Sequence, residues 1–512
     1  MPYQRRAVAA LMLCATLFIS PSAASSAQET IADHRASHPQ MKIDLREGAL
    51  LLLENNIDVT IERSATPIAG TLIEKELARF DPEAYGSFKR LDSTSPLSAR
   101  SSAASGGLNK IESETYSLNT GITGKTPLGT TYTFEVKDDW SADTLNRFQY
   151  EYESFAGVKL TQPLLKDFGL VPNEQPLRIA RKDRTISIHR LKGRITALIA
   201  DYGAAYWDLV RAKETLKVRT ETQGLARSLL DISRKKLEAG TISALELKGA
   251  EAAEATRKDE VYLAENTIRE HEKTLKLLIS RDIYKLKDTE IIPEADGAEL
   301  PVEGLDESVV NATKNRTDYL EAKTEIEKQN LKIGFAKDQS WPKLDLEASY
   351  GYNGLGTSFT DSFTGMDSNP EWSVGVVFRY PLGNRAGLSE LSASRIEAGR
   401  ALLRLKKIEQ EIVIGIDTSL KEIESGRVRV EASARSAALN LEALEAEEKK
   451  LSAGRSTTYN VLKAQEDLAK ARLTEINAVS DYNKALIRYH SEKGTLLEAF
   501  SIIVKDWPSD GL

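Results

Sequence analysis

The side chains best suited to binding a metal ion are two histidines near the start of the chain. His34 and His38 are four residues apart, and on a helix this spacing brings two imidazoles to one face, where both can bind the same ion. Pro39 follows directly, however, and the neighbouring residues are polar, which indicates a mobile tail rather than a helix. We therefore predict neither a metal site nor a cofactor.

Other patterns associated with catalysis or cofactor binding have simpler explanations. Gly351, Gly354 and Gly356 do not follow the order of the dinucleotide-binding fingerprint and do not open a helix, so we interpret them as loop residues. The neighbouring acids Glu447 and Glu448 fall on a solvated helical face. The sequence contains neither a nucleophile elbow nor a phosphate-binding loop. These observations predict no catalytic residues and a protein that is not an enzyme.

The N-terminus has the pattern of a secretory signal peptide. Two arginines precede an apolar core over Ala7–Ile19, and Ser25–Ala27 is a suitable cleavage site. The one cysteine, Cys14, lies inside this segment, so we predict a mature chain without disulfides. The net charge of −7, without a basic stripe, argues against a nucleic-acid partner. We predict an exported protein with a signal peptide over residues 1–27.

The rest of the chain is a tandem duplication. Lys236–Gly240 is echoed by Lys450–Gly454, an offset of 214 residues (454 − 240). An earlier marker, Gln162–Gly169, resembles the segment that begins at Tyr380–Gly383. The segments between the paired markers have closely similar lengths, which indicates two copies of one ancestral unit.

Each repeat contains a very long helical pattern followed by a returning one. Two stretches of about 65 residues have apolar residues at three- and four-residue spacing, as in a coiled-coil seam, and such a stretch forms a rod of about 100 Å. A glycine follows each rod, Gly240 and Gly454, and can take the left-handed conformation at the tip of a hairpin. We predict two helical hairpins, over residues 174–280 and 387–493.

Apolar and polar residues alternate before each rod. The alternation is clearest in Tyr150–Leu160, Leu344–Tyr352 and Trp372–Tyr380, where one face is apolar and aromatic. This pattern is typical of membrane barrel strands, although a soluble, half-buried sheet has the same alternation. Hydrocarbon does not tolerate open sheet edges, and so few strands cannot close a barrel. If these strands span a membrane, several copies must therefore pool them.

The number of strands is constrained because the chain must return to the same side of the membrane. In the second repeat, Asn353–Pro370 is interpreted as the outward loop between two strands. In the first repeat, Lys125–Gly129 allows Tyr116–Val136 to be split into a hairpin, and Ala84–Arg90 would then have to be a further strand. We favour one long, interrupted strand instead, which gives four strands per chain. The Ser-rich run Asp92–Gly107 is predicted to be a flexible loop.

In their order and double occurrence, these features resemble the TolC-like outer-membrane efflux proteins (outer membrane factors). The markers are Leu160–Gly169 at the entry to the first rod, Tyr206–Val210 within it, and the glycine tips with the residues that follow them, such as Val461–Gln465. The resemblance covers essentially the whole mature chain. It implies a homotrimer with a twelve-stranded β-barrel in contact with outer-membrane lipid, an α-helical periplasmic tunnel and a mixed equatorial belt.

The residue patterns and the resemblance together divide the chain into segments. They are a signal peptide (1–27), N-terminal helices with a flexible Ser-rich loop (28–111), first barrel strands (112–163), a first hairpin (174–280), an equatorial segment (281–317), a helix (318–340), second barrel strands (343–381), a second hairpin (387–493) and a C-terminal equatorial segment (494–512).

The resemblance implies one subunit of the exit duct of a multi-component efflux or type I secretion system. A periplasmic adaptor protein and an inner-membrane pump are expected to open the hairpin tips. The residues expected to contact the adaptor are Leu237, Ala239, Gly240, Ser243, Leu451, Ala453, Gly454 and Thr457. The alternative is a soluble periplasmic coiled-coil adaptor or scaffold, which normally has one hairpin rather than two.

The expected gate departs from the family pattern. Well-known members carry acidic rings just past the tips, and the matching positions are Glu246, Asn460 and Lys463, of which only Glu246 is acidic. Leu451 stands where those members have a gate tyrosine, and their arginine is displaced to Arg455. We therefore carry over the location of the gate but not its mechanism.

Overall fold

The computed structural model describes residues 39–147, 149–294 and 300–502. The predicted signal peptide and the histidine pair at positions 34 and 38 lie outside these ranges. The helices are α1 (Leu45–Asn55), α2 (Ile57–Leu77), α3 (Ala99–Ala104), α4 (Leu170–Glu238), α5 (Ala244–Ile279), α6 (Leu305–Asn315), α7 (Thr317–Gln339), α8 (Phe359–Thr364), α9 (Arg385–Ser452), α10 (Thr458–Lys493) and α11 (Leu496–Ala499). In the described part of the chain, none of them is both long and apolar enough to cross a membrane.

Within the described ranges, the strands form two separate sheets. They are β1 (Gln40–Ile43), β2 (Glu83–Pro96), β3 (Lys110–Lys125), β4 (Thr131–Asp143), β5 (Glu151–Pro163), β6 (Glu290–Pro293), β7 (Lys343–Gly356) and β8 (Pro370–Arg379). A small parallel sheet pairs β1 with β6. A large antiparallel sheet has the order β2-β3-β4-β5-β7-β8. The two repeats therefore meet inside the large sheet, where β5 pairs with β7.

Four helices build the two long hairpins. α4 has 69 residues and α9 has 68, so each is about 100 Å long at 1.5 Å per residue. α5 and α10, of 36 residues each, return along them. Pro172 lies in the first turn of α4, where a backbone N–H has no helical partner to lose. Pro176 lies one turn further on, inside the helix, and removes the hydrogen bond that a backbone N–H would make to the carbonyl of Pro172.

The main hydrophobic core lies where the small sheet and α1 pack on the middle of α4. Tyr202 and Tyr206 of α4 are fully buried there, and the Tyr206 hydroxyl donates to the backbone carbonyl of Glu294 at 2.6 Å. Gly48 of α1 allows the close approach, because a Cβ at that position would meet the Tyr202 hydroxyl. This core joins β1, β6 and α1 to α4 and α5.

The large sheet has six strands, so the predicted number of four is wrong. Tyr116–Val136 is not one interrupted strand but parts of β3 and β4, joined by a tight turn. Thr126 donates to Thr130 at 2.8 Å across this turn, and Gly129 takes a φ of +93°, which suits glycine. The further strand that this arrangement requires is β2, which extends well beyond Ala84–Arg90. The number of strands remains even, as the topology demands.

The Ser-rich run is also more ordered in secondary structure than the predicted flexible loop. Asp92–Pro96 completes β2, paired with the beginning of β3. The serines that follow form the short helix α3, whose N-terminus is capped by the Ser98 side chain. Serine suits such a cap because its hydroxyl accepts a hydrogen bond from a free backbone N–H.

Candidate functional site

The large sheet has one apolar and one polar face. Side chains alternate between the faces along each strand, and the register places the even-numbered residues of all six strands on the same face. Phe88 of β2 is 64% exposed and Trp372 of β8 is 71% exposed. The apolar members of this face are Phe88, Leu118, Ile122, Phe134, Val136, Val158, Leu160, Leu346, Tyr350, Trp372, Val374, Val376 and Phe378. So large an exposed apolar surface requires a non-aqueous environment or a partner.

Aromatic rings form a row across four strands of the apolar face. Ring centroids are 6.0 Å apart for Phe88 and Tyr116, 5.4 Å for Tyr116 and Trp140, and 6.0 Å for Trp140 and Tyr152. The Tyr116 hydroxyl donates to the Glu114 carboxylate at 2.6 Å, toward the end of the sheet that lies away from the long helices. A row of amphipathic aromatics between an apolar band and charged residues is typical of a membrane interface.

The opposite face carries polar side chains that hydrogen-bond across the strands. Asn119 of β3 donates to Glu135 of β4 at 2.7 Å. Lys159 and Glu347 form an ion pair between β5 and β7 at 3.3 Å. The polar members are Ser87, Lys89, Ser117, Asn119, Thr123, Thr133, Glu135, Lys137, Glu153, Lys159, Glu347, Ser349 and Ser373. This face suits contact with water, so the sheet separates an apolar from an aqueous side.

One polar cluster interrupts the apolar face, and the helix α8 covers it. Asp138 is only 1% exposed and accepts a hydrogen bond from the Ser154 hydroxyl at 2.6 Å. Ser154 lies 2.5 Å from the hydroxyl of Ser362 in α8. α8 can approach because Gly354 has no side chain; a Cβ there would lie 1.7 Å from the Ser362 carbonyl oxygen. The sequence analysis interpreted Gly354 only as a loop residue, although the alternation of β7 places it in a strand.

The two hairpin tips have the same backbone geometry. Gly240 has φ +68°, and Thr241 donates to the Lys236 carbonyl at 2.9 Å. Gly454 has φ +70°, and its neighbour donates in the same way to the Lys450 carbonyl at 2.8 Å. Both are Schellman caps, which satisfy backbone carbonyls at the end of a helix. The returning helices also begin alike, with N-caps at Ser243 and Thr457 (the latter matched at the same offset).

Most residues expected to contact an adaptor lie on the surface of the tips. The exposed ones are Ala239, Gly240, Ser243, Ala453, Gly454 and Thr457. Leu237 is half-buried. Leu451 is only 8% exposed, because it packs in an apolar cluster with Leu229, Val461 and Leu468. Leu451 therefore joins the two hairpins just above their tips rather than presenting its side chain to solvent.

The four expected gate residues are exposed in the single chain. Glu246 and Asn460 occupy the first turns of α5 and α10, where each backbone N–H donates to the capping side chain. Lys463 forms an ion pair with Asp467 at 3.2 Å, and Arg455 follows the second tip glycine. Within the residues that the structure describes, no hydrogen bond or ion pair joins Glu246 to the other three. The single chain does not assemble these residues into one site.

Further from the tips, polar contacts between α4 and α10 join the two hairpins. The Ser480 hydroxyl donates to the backbone carbonyl of Trp207 at 3.2 Å and is itself buried. Asp208, the neighbour of that tryptophan, forms an ion pair with Lys484. Glu221 and Arg472 form another at 2.5 Å. Closer to the tips, α4, α9 and α10 border an apolar groove of about 440 Å³ that includes Leu225, Ile232 and Val461.

The equatorial end of α10 contains a buried charged group. Lys493 forms an ion pair with Glu303 at 2.6 Å, and Tyr489 hydrogen-bonds to Ser308 at 2.7 Å. His490 lies beside them, and burial together with the Lys493 charge lowers the pKa of its imidazole to about 4. A histidine in this setting remains neutral at physiological pH. The sequence analysis did not single out this group.

Comparison with known proteins identifies the same architecture. The family model described as "Outer membrane efflux protein" matches residues 132–281 and 309–489. The outer membrane efflux protein BepC of Brucella suis biovar 1 (strain 1330) is 22% identical over 282 residues, which cover 54% of this chain and 59% of BepC. The match thus spans less than two thirds of that relative. The family-model match begins at residue 132, close to the start of β4, so β2 and β3 precede it.

Solved outer-membrane proteins share the fold despite low sequence identity. The CmeC outer membrane channel of Campylobacter jejuni is 15% identical, with a TM-score of 0.66 over 88% of this chain and 86% of that one. The outer membrane protein VceC of Vibrio cholerae is 14% identical, with a TM-score of 0.65 over 88% and 96%. The family match covers more than half of the chain. The chain therefore belongs to the outer membrane efflux protein family, whose members are outer-membrane proteins and not enzymes.

Proposed function

We propose that three copies of this chain form the exit duct of a multi-component efflux or type I secretion system. The observation that carries this proposal is the large sheet, with an exposed apolar face, a polar face and two unpaired edges. A single copy leaves both edges open, which hydrocarbon does not tolerate. Association into a ring removes the edges and directs the polar face toward a water-filled passage. The two hairpins of each copy then continue this passage into the periplasm.

The tips provide the surface for a periplasmic adaptor and an inner-membrane pump. Gly240 and Gly454 turn the chain tightly, so the exposed loops at Ser243 and Thr457 protrude from the end of the hairpins. The apolar groove beside Ile232 suits the apolar stripe of a helix from the adaptor. Adaptor binding favours the open arrangement if it binds that arrangement more tightly than the closed one. Glu246 and Asn460 lie in the first turns after the tips, which is where we expect the passage to close.

The alternative, a soluble periplasmic coiled-coil adaptor or scaffold, is disfavoured by the apolar face. A soluble protein would have to cover that surface, yet Phe88, Trp372 and Val374 are all more than 60% exposed. Surfaces of this size are rare in soluble monomers.

The first test is fractionation of native membranes, followed by the mass of the detergent-extracted, unboiled protein. We expect a trimer in the outer-membrane fraction. A monomer in the periplasmic fraction would contradict the duct and favour the soluble alternative.

The second test concerns closure at the tips. Leu451→Ala removes apolar packing between the hairpins, and we expect it to increase the permeability of the outer membrane to a large polar antibiotic because a loosened cluster opens more readily. Leu439→Ala is the matched control, since Leu439 lies on the same helix but is 56% exposed. Equal permeability of the two variants would place the closure elsewhere in the duct.

A further inference from the structure

The hairpin formed by β2 and β3 has the dimensions of a membrane-spanning element. β2 has 14 residues and β3 has 16, whereas a tilted strand needs about 9–11 residues to cross a bilayer. Every residue of β2, from Glu83 to Pro96, has a partner in β3 without a bulge. β3 in turn pairs with β4 over the full length of β4. The hairpin is therefore a continuous extension of the sheet.

Like the other strands of the large sheet, the hairpin has one apolar and one polar face. Phe88 extends the aromatic row to the edge of the sheet, with its ring centroid 6.0 Å from that of Tyr116. Leu118 and Ile122 continue the apolar face and are at least 36% exposed. On the polar face, Asn119 hydrogen-bonds to Glu135 of β4. A hairpin that folds over a barrel as a loop does not need one apolar and one polar face. A hairpin that forms part of the barrel wall does, because one face contacts lipid and the other the interior.

Each edge of the six-stranded sheet needs a partner of the opposite direction. β2 is one edge and β8 is the other, and the first and sixth strands of an antiparallel sheet run in opposite directions. β2 of one copy can therefore pair with β8 of the next in the same antiparallel pattern as every other strand of the large sheet. We infer that three copies close a barrel of eighteen strands through this β2–β8 contact. The inference rests on the trimer proposed above.

The additional strands widen the barrel but not the helical passage below it. With strands about 4.8 Å apart and tilted by about 40°, eighteen strands form a ring about 36 Å across, against about 24 Å for twelve. Each copy still contributes only two helical hairpins, so the helices enclose the narrower part of the duct. The size limit for the cargo is therefore set by the helices and the tips rather than by the outer-membrane pore.

Cysteine cross-linking in native outer membranes tests the contact. In a Cys14→Ser background, Lys89→Cys on the polar face of β2 is combined in turn with Ser373→Cys, Gly375→Cys or Val377→Cys on the polar face of β8. Three partners are used because the register between copies is not fixed by a single chain. The matched series replaces Lys89→Cys with Lys137→Cys in β4, which would lie beside β8 of the next copy if only the four strands β4, β5, β7 and β8 formed the wall.

We expect oxidation to produce covalent trimers with at least one Lys89→Cys pair and with none of the Lys137→Cys pairs. Trimers from the Lys137→Cys series would overturn the inference in favour of twelve strands, and so would an intact trimer with no cross-link from Lys89→Cys. Counting strands by electron microscopy of the purified trimer is the independent measurement, and a count of twelve also overturns the inference. A monomeric protein before oxidation would instead contradict the proposed function itself.

Discussion

The two repeats of this chain are nearly identical in their helices and different in their strands. The hairpins have 69 and 36 residues in the first repeat and 68 and 36 in the second. The first repeat contributes four strands to the large sheet, whereas the second contributes two. The two helical hairpins must end at the same level, so that their tips lie side by side. The helices of one hairpin therefore cannot change length without the helices of the other. A sheet can gain strands, provided that they are added in pairs.

The largest effect is expected from a charge on the apolar face of either repeat. Val376→Arg in β8 and Leu118→Arg in β3 should each reduce assembly in the outer membrane, because an arginine that faces lipid near the bilayer midplane costs about 2–4 kcal/mol. Ser373→Arg and Ser117→Arg, on the polar face of the same strands, are the controls. The measurement is the amount of heat-dissociable trimer in outer-membrane fractions. Normal assembly of Leu118→Arg alone would show that the additional hairpin lies outside the membrane.

A smaller effect is expected where α8 packs on β5 and β7. Gly354→Ala places a Cβ against the Ser362 carbonyl, and displacement of α8 should lower stability by about 1–3 kcal/mol. Gly375→Ala in β8 is the control, since a Cβ there meets no atom within 4 Å. The rate of protease cleavage in the loop that contains α8 measures the displacement. Cleavage at the same rate in both variants would contradict tight packing at Gly354.

The equatorial end of the second repeat should be more sensitive to acid than that of the first. His490 has a folded-state pKa of about 4, below the value of about 6.5 for an unfolded chain. The unfolded state therefore binds more protons between these values, and stability falls as the pH decreases from about 6.5 to 4. We expect a loss of about 2 kcal/mol over this range.

His490→Gln should flatten this part of the pH profile of the melting temperature. The position at the same offset in the first repeat is Lys276 rather than a histidine. An unchanged profile in His490→Gln would assign the acid sensitivity to another group.

The smallest effect is expected at the hairpin tips, where the two repeats have the same backbone geometry. Gly240→Ala and Gly454→Ala should each destabilise by about 1 kcal/mol, because a left-handed backbone is unfavourable for alanine. Gly249→Ala, at an exposed helical position of α5 with no atom within 4 Å of its Cβ, should instead stabilise by up to about 1 kcal/mol. Melting temperatures of the trimer report these changes. Unequal losses at the two tips would show that one of them is held by further contacts.

The sequence was sufficient to predict the hairpins and the two-faced strands. A long helical pattern followed by glycine has few alternatives, and Gly240 and Gly454 do cap their helices in the left-handed conformation. The family resemblance is confirmed by the family match. Local patterns of this kind can be read without knowledge of tertiary contacts.

The number of strands was harder to predict from the sequence because the turn between β3 and β4 is so short. Alternation continues on both sides of Lys125–Gly129, so one interrupted strand and a hairpin look alike. β2 is harder still to recognise in the sequence, because its apolar face contains Ala84, Gly86 and Arg90 beside Phe88. These residues weaken the alternation of apolar and polar side chains. The burial of Leu451 depends on contacts between the hairpins, which no local pattern specifies. The roles of the tip and gate residues stay predictions.

The contact between the repeats also constrains the order in which the protein folds. Ser154 and Ser362, which hydrogen-bond between β5 and α8, are 208 residues apart in the sequence. Strands β2 to β5 are neighbours along the chain and can pair early, whereas β7 and β8 reach them only after the whole first hairpin has been synthesised. Contacts between such distant segments form slowly because the intervening chain must be brought together first. The edge of β5 that later pairs with β7 thus remains unpaired during export, and protection of this edge becomes a requirement of biogenesis rather than of transport.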